Sequence, residues 1–147
     1  MFKSIVVGTD GSETADKAVL RAIELAEPLG ASLHIVTAFQ PVSEDKLARE
    51  RSALPEDMSW MVNPREAVDA ILWEASEMAA GRKLKIETYA RQGDPADALL
   101  DVAEERDADL IVIGNKGMTG AKRFLLGSVP NKVSHHAPCS VLIIRTT

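Results

Sequence analysis

Five short apolar runs divide the chain, and the segments between them carry apolar residues at helical spacing. Each run is rich in valine, isoleucine or leucine and is bounded by glycine, proline or charged residues. Runs of this length and composition predict β-strands. They lie at 4–8, 32–39, 83–90, 109–114 and 139–145.

The runs differ in how regularly polar residues interrupt them. The run at 83–90, "KLKIETYA", alternates apolar and polar residues, as an edge strand with one solvent-facing side does. The runs at 4–8, 109–114 and 139–145 are almost continuously apolar, which predicts strands buried on both faces.

Helix signals fill the intervals between the strands. Ser12 is placed to cap a first helix, which ends before Gly30. Asn63 and Asp94 begin the next two helices, and a proline follows each of them at the first helical position. The fourth helix is predicted over 128–136. The chain therefore reads β-α-β-α-β-α-β-α-β.

Strict alternation of strands and helices predicts an α/β fold with a parallel sheet, covered by helices on both faces in three layers. Residues 1–147 contain no internal repeat and predict a single domain. Residues 40–62 are charged and show no sustained period, so we expect a variable and mobile loop there. That loop is either a lid over a site or a surface insertion, and the sequence favours the insertion.

Charge is distributed unevenly along the chain. The net charge is -5, yet residues 110–147 contain no Asp or Glu and carry five basic residues, so the first 109 residues carry -10. An acidic body disfavours a broad nucleic-acid surface, whereas a local basic patch suits a small anion. The five basic residues are Lys116, Lys122, Arg123, Lys132 and Arg145.

Compartment and membrane signals point to a cytoplasmic protein. The apolar stretch at the amino terminus is too short for a signal peptide, and no run approaches the length of a membrane span. Cys139 is the single cysteine, so an internal disulfide and a multi-cysteine metal site are both excluded.

Two strand ends carry unusual chemistry. Parallel sheets bind ligands beyond the carboxyl ends of their strands. If the first and fourth strands are neighbours at the sheet centre, Asp10 after the first strand faces the glycine-rich segment that begins at Gly114. Gly114 and Gly117 are expected to adopt positive φ and expose amides to an anion. Gly127 and Ser128 open the last helix, whose amides and dipole favour the same anion, and Ser128 is expected to cap that helix or to donate to a phosphate.

Two common nucleotide motifs fit poorly. A P-loop needs lysine after its final glycine, but Ser128 follows Gly127 directly. A dinucleotide fingerprint needs three spaced glycines after the first strand, and only Gly8 and Gly11 are available there.

The spacing Gly114-x-x-Gly117, nine residues, Gly127-Ser128 resembles the signature of the universal stress protein family. The segments "VVGTDGS", "ADLIVIGNKG", "LLGSV" and "APCSVLIIR" are similar to that family in the same order. The resemblance implies a five-stranded parallel sheet in the order 3-2-1-4-5, a Rossmann-like fold of the adenine nucleotide alpha hydrolase type. It also implies a homodimer paired through the last strand, 139–145.

The resemblance further implies the branch of the family that binds ATP. By that likeness the ribose and adenine lie near Asp10, and the adenine edge meets the backbone of the second strand. Gly114 borders the ribose, and the phosphates are held by Gly117, Gly127, Ser128 and Val129. The implied contact residues are Thr9, Asp10, Thr37, Ala38, Gly114, Gly117, Gly127, Ser128 and Val129.

Catalytic machinery is not apparent from the sequence. No nucleophile, base and orienting group occur in a recognisable set, and His135 and His136 complement a helix end rather than bind metal. Asp10 could hold Mg²⁺ on the phosphates of ATP. The leading expectation is a nucleotide sensor in stress response that binds ATP, ADP, AMP or cyclic AMP. A slow ATPase and a nucleotide-free dimeric interaction module remain as alternatives.

Overall fold

A computed structural model describes residues 1–39, 64–115 and 127–146 of the chain. The strand–helix order predicted from the sequence is confirmed in these residues. The strands are β1 (Ser4–Gly8), β2 (Ser32–Phe39), β3 (Ile86–Gln92), β4 (Leu110–Gly114) and β5 (Ser140–Ile144), and the helices are α1 (Glu13–Leu29), α2 (Pro64–Glu77), α3 (Pro95–Glu105) and α4 (Ser128–His136). The loop expected at 40–62 lies outside the described residues.

The five strands form one parallel sheet in the order β3-β2-β1-β4-β5. This order confirms the fold class expected from the sequence and places β1 beside β4 at the centre. Because the strand order reverses between β1 and β4, a crevice opens at their carboxyl ends.

Helices cover both faces of the sheet and give three layers. Side chains of alternate strand residues point to opposite faces, so Ile5 and Val7 pack toward α1 and α2 while Val6 packs toward α3 and α4. The core on each face is formed almost entirely by aliphatic side chains and alanines. The small alanines of α1 and α3 let these helices lie close to the sheet.

The third strand begins and ends later than predicted. The alternating run at 83–90 predicted its bounds, but pairing with β2 joins Leu33 to Ile86 at one end and Phe39 to Gln92 at the other. The partner strand therefore sets the bounds, and Gly93, at a φ of +119°, ends β3.

The last strand is an edge strand, and the prediction that both its faces are buried was wrong. β5 pairs with β4 along one edge, and Ser140 and Leu142 are exposed. The apolar run reflected the composition of the strand and not its position in the sheet. Cys139, just before this strand, is half-buried, and burial raises the pKa of its thiol.

Among the described helices, none combines the length and the apolarity needed to cross a bilayer.

Candidate functional site

A cavity of about 300 Å³ lies at the carboxyl ends of the central strands. Its wall is mostly apolar, with a few polar groups from the strand ends and from the starts of α3 and α4. A largely apolar pocket with few polar groups suits a small organic ligand. The lining residues are Gly8, Thr9, Asp10, Ala15, Val36, Ala38, Asp94, Pro95, Leu99, Ile113, Gly114, Ser128, Val129 and Pro130.

The end of β1 supplies Thr9 and Asp10. The buried Thr9 side chain accepts a hydrogen bond from the Gly11 amide (3.1 Å), and Asp10 Oδ1 accepts one from the Ser12 amide (2.9 Å). Gly11 adopts a φ of +82°, which lets the chain turn from β1 into α1. These bonds fix the Asp10 carboxylate at the cavity wall.

The end of β2 supplies Ala38 but not Thr37. The Thr9 amide donates to Val36 O (2.9 Å), which is the last ladder bond from β1 to β2. Because ladder groups alternate in direction along a strand, the N–H and C=O of Ala38 turn toward β1, beyond whose end the cavity opens. The Thr37 side chain is buried, and its residue does not line the cavity.

The end of β4 and the start of α4 form the opposite wall. Gly114, Ser128 and Val129 line the cavity, and the buried Gly127 is the N-cap of α4. Two sequence expectations were wrong here. The capping alternative for Ser128 fails because Gly127, with φ -62° and ψ 166°, occupies the cap position, and Gly114 does not have the positive φ expected of it.

The amides at the start of α4 differ in what they bind. The Gly127 amide donates to Asn115 O (3.1 Å), and Pro130 has no N–H to offer. Among the residues that the structure describes, no side chain caps this helix, and no acid lies in its first turn. The Ser128 and Val129 amides therefore remain as the helix-terminal donors at the cavity.

Several predicted residues fall outside the described ranges. Gly117, the second glycine of the signature, is one of them. The three basic residues near it, Lys116, Lys122 and Arg123, are the others.

The start of α3 is a wall of the cavity that the sequence analysis did not assign to the site. Asp94 caps α3 by accepting a hydrogen bond from the Asp97 amide (3.1 Å). This hydrogen bond is the main cause that lowers the pKa of Asp94 below its usual value, and the nearby Lys132 ammonium lowers it further. Lys132 of α4 contacts Asp94 (3.3 Å) and Asp97 (2.9 Å) and so joins the two helix starts. The Asp-Pro cap after β3 was the available signal, because every parallel strand ends at this edge.

Leu99 forms the floor of the cavity beneath β1. A Cβ built on Gly8 would lie 3.0 Å from both methyl carbons of Leu99, so the backbone of β1 rests directly on this side chain. Glycine at position 8 therefore permits the close approach of α3 to the strand end.

Asp16 lies in the first turn of α1, next to the lining residue Ala15. Burial, and then the charges of Glu74, Asp10 and Glu13, raise the pKa of Asp16. Within the described residues, no group of three or more acidic, histidine or cysteine side chains is arranged to hold a metal ion.

The fold and the cavity define an open, doubly wound α/β protein with a ligand site where the strand order reverses. Residues 1–145 match the sequence model of the Universal stress protein family, and the chain belongs to this family.

Relatives and solved structures agree with this assignment. A universal stress protein of Mycobacterium tuberculosis is 41% identical over 99% of this chain and 98% of its own length. The protein YxiE of Bacillus subtilis, also a universal stress protein, is 33% identical over 99% of this chain and all of its own length. A crystal structure of a universal stress protein in complex with cyclic AMP matches with a TM-score of 0.75 and 39% identity, over 99% of both chains.

Proposed function

We propose that this protein binds ATP or a related adenine nucleotide in the cavity at the carboxyl ends of β1 and β4. In this proposal it is a cytoplasmic sensor or regulator in stress response and not an enzyme. Occupancy of the cavity is the signal, and the surface around the occupied site is what a downstream partner recognises.

The start of α4 is the observation that carries this proposal. Its Ser128 and Val129 amides are uncapped at the cavity, and the helix dipole adds a partial positive charge there. A phosphate group satisfies such donors directly. The site is thereby suited to an anion although the protein as a whole is acidic.

The rest of the cavity suits a nucleoside. Val36, Leu99 and Ile113 offer apolar surface to a base, and the backbone N–H and C=O of Ala38 match the donor and acceptor edge of adenine. Asp10 is placed to accept a hydrogen bond from a ribose hydroxyl. The solved relative that holds cyclic AMP is 39% identical, which supports an adenine nucleotide of one or more phosphates.

Mg²⁺ fits this arrangement only as a companion of the phosphates. Asp10 is a single carboxylate at the cavity, and Mg²⁺ is commonly bound by one or two carboxylates together with phosphate oxygens. In this role Asp10 would hold one side of the ion and the nucleotide the other.

The edge of β5 supports the proposal of a homodimer. Along this edge Leu142 is 39% exposed and Val141 and Ile143 are only partly buried. An apolar strand edge of this kind readily pairs with another strand. Sedimentation equilibrium tests the assembly, and a monomer mass at all concentrations would contradict it.

Isothermal titration calorimetry of the purified protein with adenosine, AMP, cyclic AMP, ADP and ATP tests the nucleotide proposal. We expect the phosphorylated ligands to bind at least about tenfold more tightly than adenosine, since one charge-assisted hydrogen bond is worth about 1.5 kcal/mol or more. Absence of binding to all five ligands at millimolar concentration would overturn the proposal and favour a nucleotide-free interaction module. Multiple turnovers of ATP, abolished by Asp10→Ala, would instead favour a slow ATPase.

A further inference from the structure

Thr146, just beyond β5, is almost completely buried although it is polar, at 2% exposure. Its hydroxyl and its amide both donate to the side-chain oxygen of Asn115, at 3.0 Å and 2.8 Å. Its carbonyl oxygen accepts a hydrogen bond from Lys17 Nζ of α1 at 3.0 Å. Every polar group of Thr146 is therefore bonded to another element of the fold.

Asn115 follows Gly114 directly and makes three kinds of contact. Its amide donates a hydrogen bond to Ile144 O (2.9 Å). Its side-chain oxygen accepts the hydrogen bonds from Thr146, and its carbonyl oxygen accepts one from the Gly127 amide (3.1 Å). The last of these bonds joins the end of β4 to the cap of α4.

These contacts form one chain of hydrogen bonds from Thr146 through Asn115 to Gly127. Gly114 directly precedes Asn115 and Ser128 directly follows Gly127, and both line the cavity. Because Gly127 is the N-cap, its position determines where the Ser128 and Val129 amides point.

We infer that Asn115 and Thr146 are positioning residues for the phosphate-binding wall. They hold Gly127 against the end of β4, so that the amides of α4 are aimed into the cavity before a ligand arrives. This inference rests on the proposed function, since it states which residues set the phosphate affinity of that site. Neither residue lines the cavity or needs to touch the nucleotide.

The test compares Thr146→Val, which removes the hydroxyl but keeps the branched shape, with Thr146→Ser, which keeps the hydroxyl. We expect Thr146→Val to weaken ATP binding about tenfold while adenosine affinity changes less than about twofold. Thr146→Ser should bind ATP within about threefold of the wild type. Equal loss of ATP and adenosine affinity, or no loss of either, would overturn the inference.

Amide hydrogen exchange provides a readout that needs no nucleotide. We expect the Gly127 amide to exchange about tenfold faster in Thr146→Val, whereas the Val112 amide in the sheet core keeps its wild-type rate. An unchanged Gly127 rate would overturn the positioning role. If Gly127 exchanges faster but the wild type binds no adenine nucleotide, the positioning role stands and the proposed function fails.

Discussion

The starts of α1 and α4 lie at the same edge of the sheet but differ in their capping and in the charge of their first turns. Ser12 caps α1 by accepting the Ala15 amide (3.2 Å), and Asp10 accepts the Ser12 amide. Two acids, Glu13 and Asp16, lie in its first turn. At the start of α4 no side chain within the described ranges caps the helix, and no acid lies in the first turn.

If the proposed function is right, this difference between the two helix starts separates the two ends of the nucleotide within one crevice. The α1 side satisfies its own amides and carries negative charge, so it disfavours phosphate and favours neutral hydroxyl donors. The α4 side leaves its donors open to an anion. The cap of α3 by Asp94 follows the α1 pattern, which makes α4 the exception among the three helix starts whose caps the structure describes.

The largest expected effect comes from giving α4 the acid that α1 has. In Ser128→Asp, a carboxylate within a few ångströms of the phosphate repels it by about 2–4 kcal/mol, so ATP affinity should fall at least about 30-fold. Adenosine affinity should change much less. Calorimetry with both ligands measures the difference, and ATP affinity equal to that of the wild type would refute the open start of α4 as the phosphate site.

A matched pair of alanine variants gives the next effect, with opposite outcomes at the two helices. Ser12→Ala should lower stability by about 1 kcal/mol, since it removes a cap, and should leave ATP affinity within about twofold. Ser128→Ala should leave stability within about 0.5 kcal/mol, because the side chain is exposed, and should weaken ATP binding about tenfold, because the proposal has its hydroxyl donate to a phosphate. Thermal unfolding and calorimetry of both variants measure the pair, and the same profile in both would remove the contrast.

The smallest effect concerns pH at the α1 side. The pKa of Asp16 is raised in the fold, so its ionisation opposes folding: its contribution is most favourable below the unfolded pKa and is lost as pH rises through the folded pKa. Asp16→Asn should therefore stabilise the protein slightly at pH 7, and this gain should vanish in acid near pH 3. Urea unfolding at both pH values measures the change, and a loss of stability at pH 7 would contradict the desolvation of Asp16.

Adjacency along and across strands made much of the site predictable. Asp10 follows one apolar run and Gly114 ends another, and the glycine before Ser128 marked a helix start. These inferences need the local pattern, the rule that ligands bind at strand carboxyl ends, and the strand order that the family resemblance implied.

Contacts between distant segments were not predictable in the same way. The approach of Leu99 to Gly8 depends on how α3 packs, and the bond between Asn115 and Thr146 depends on how β5 pairs. Thr37 and Ala38 show a further limit of prediction. The family resemblance assigned both residues to the adenine edge, but backbone groups alternate in direction along the strand, and only Ala38 lines the cavity. The exposure of the β5 side chains was not predicted for a related reason, because an apolar run indicates the composition of a strand and not its position in the sheet.

The hydrogen bonds of Asn115 to the last strand depend on the register in which that strand pairs with β4. Asn115 meets Ile144 through its backbone and Thr146 through its side chain, at a point where Gly114 pairs with Ile144. A slip of one residue would break both of these contacts and reverse which face every β5 side chain occupies. In the proposed site, the native register of the outermost strand is therefore needed to hold Gly127 in place, and we expect a chain with β5 out of register to bind ATP more weakly.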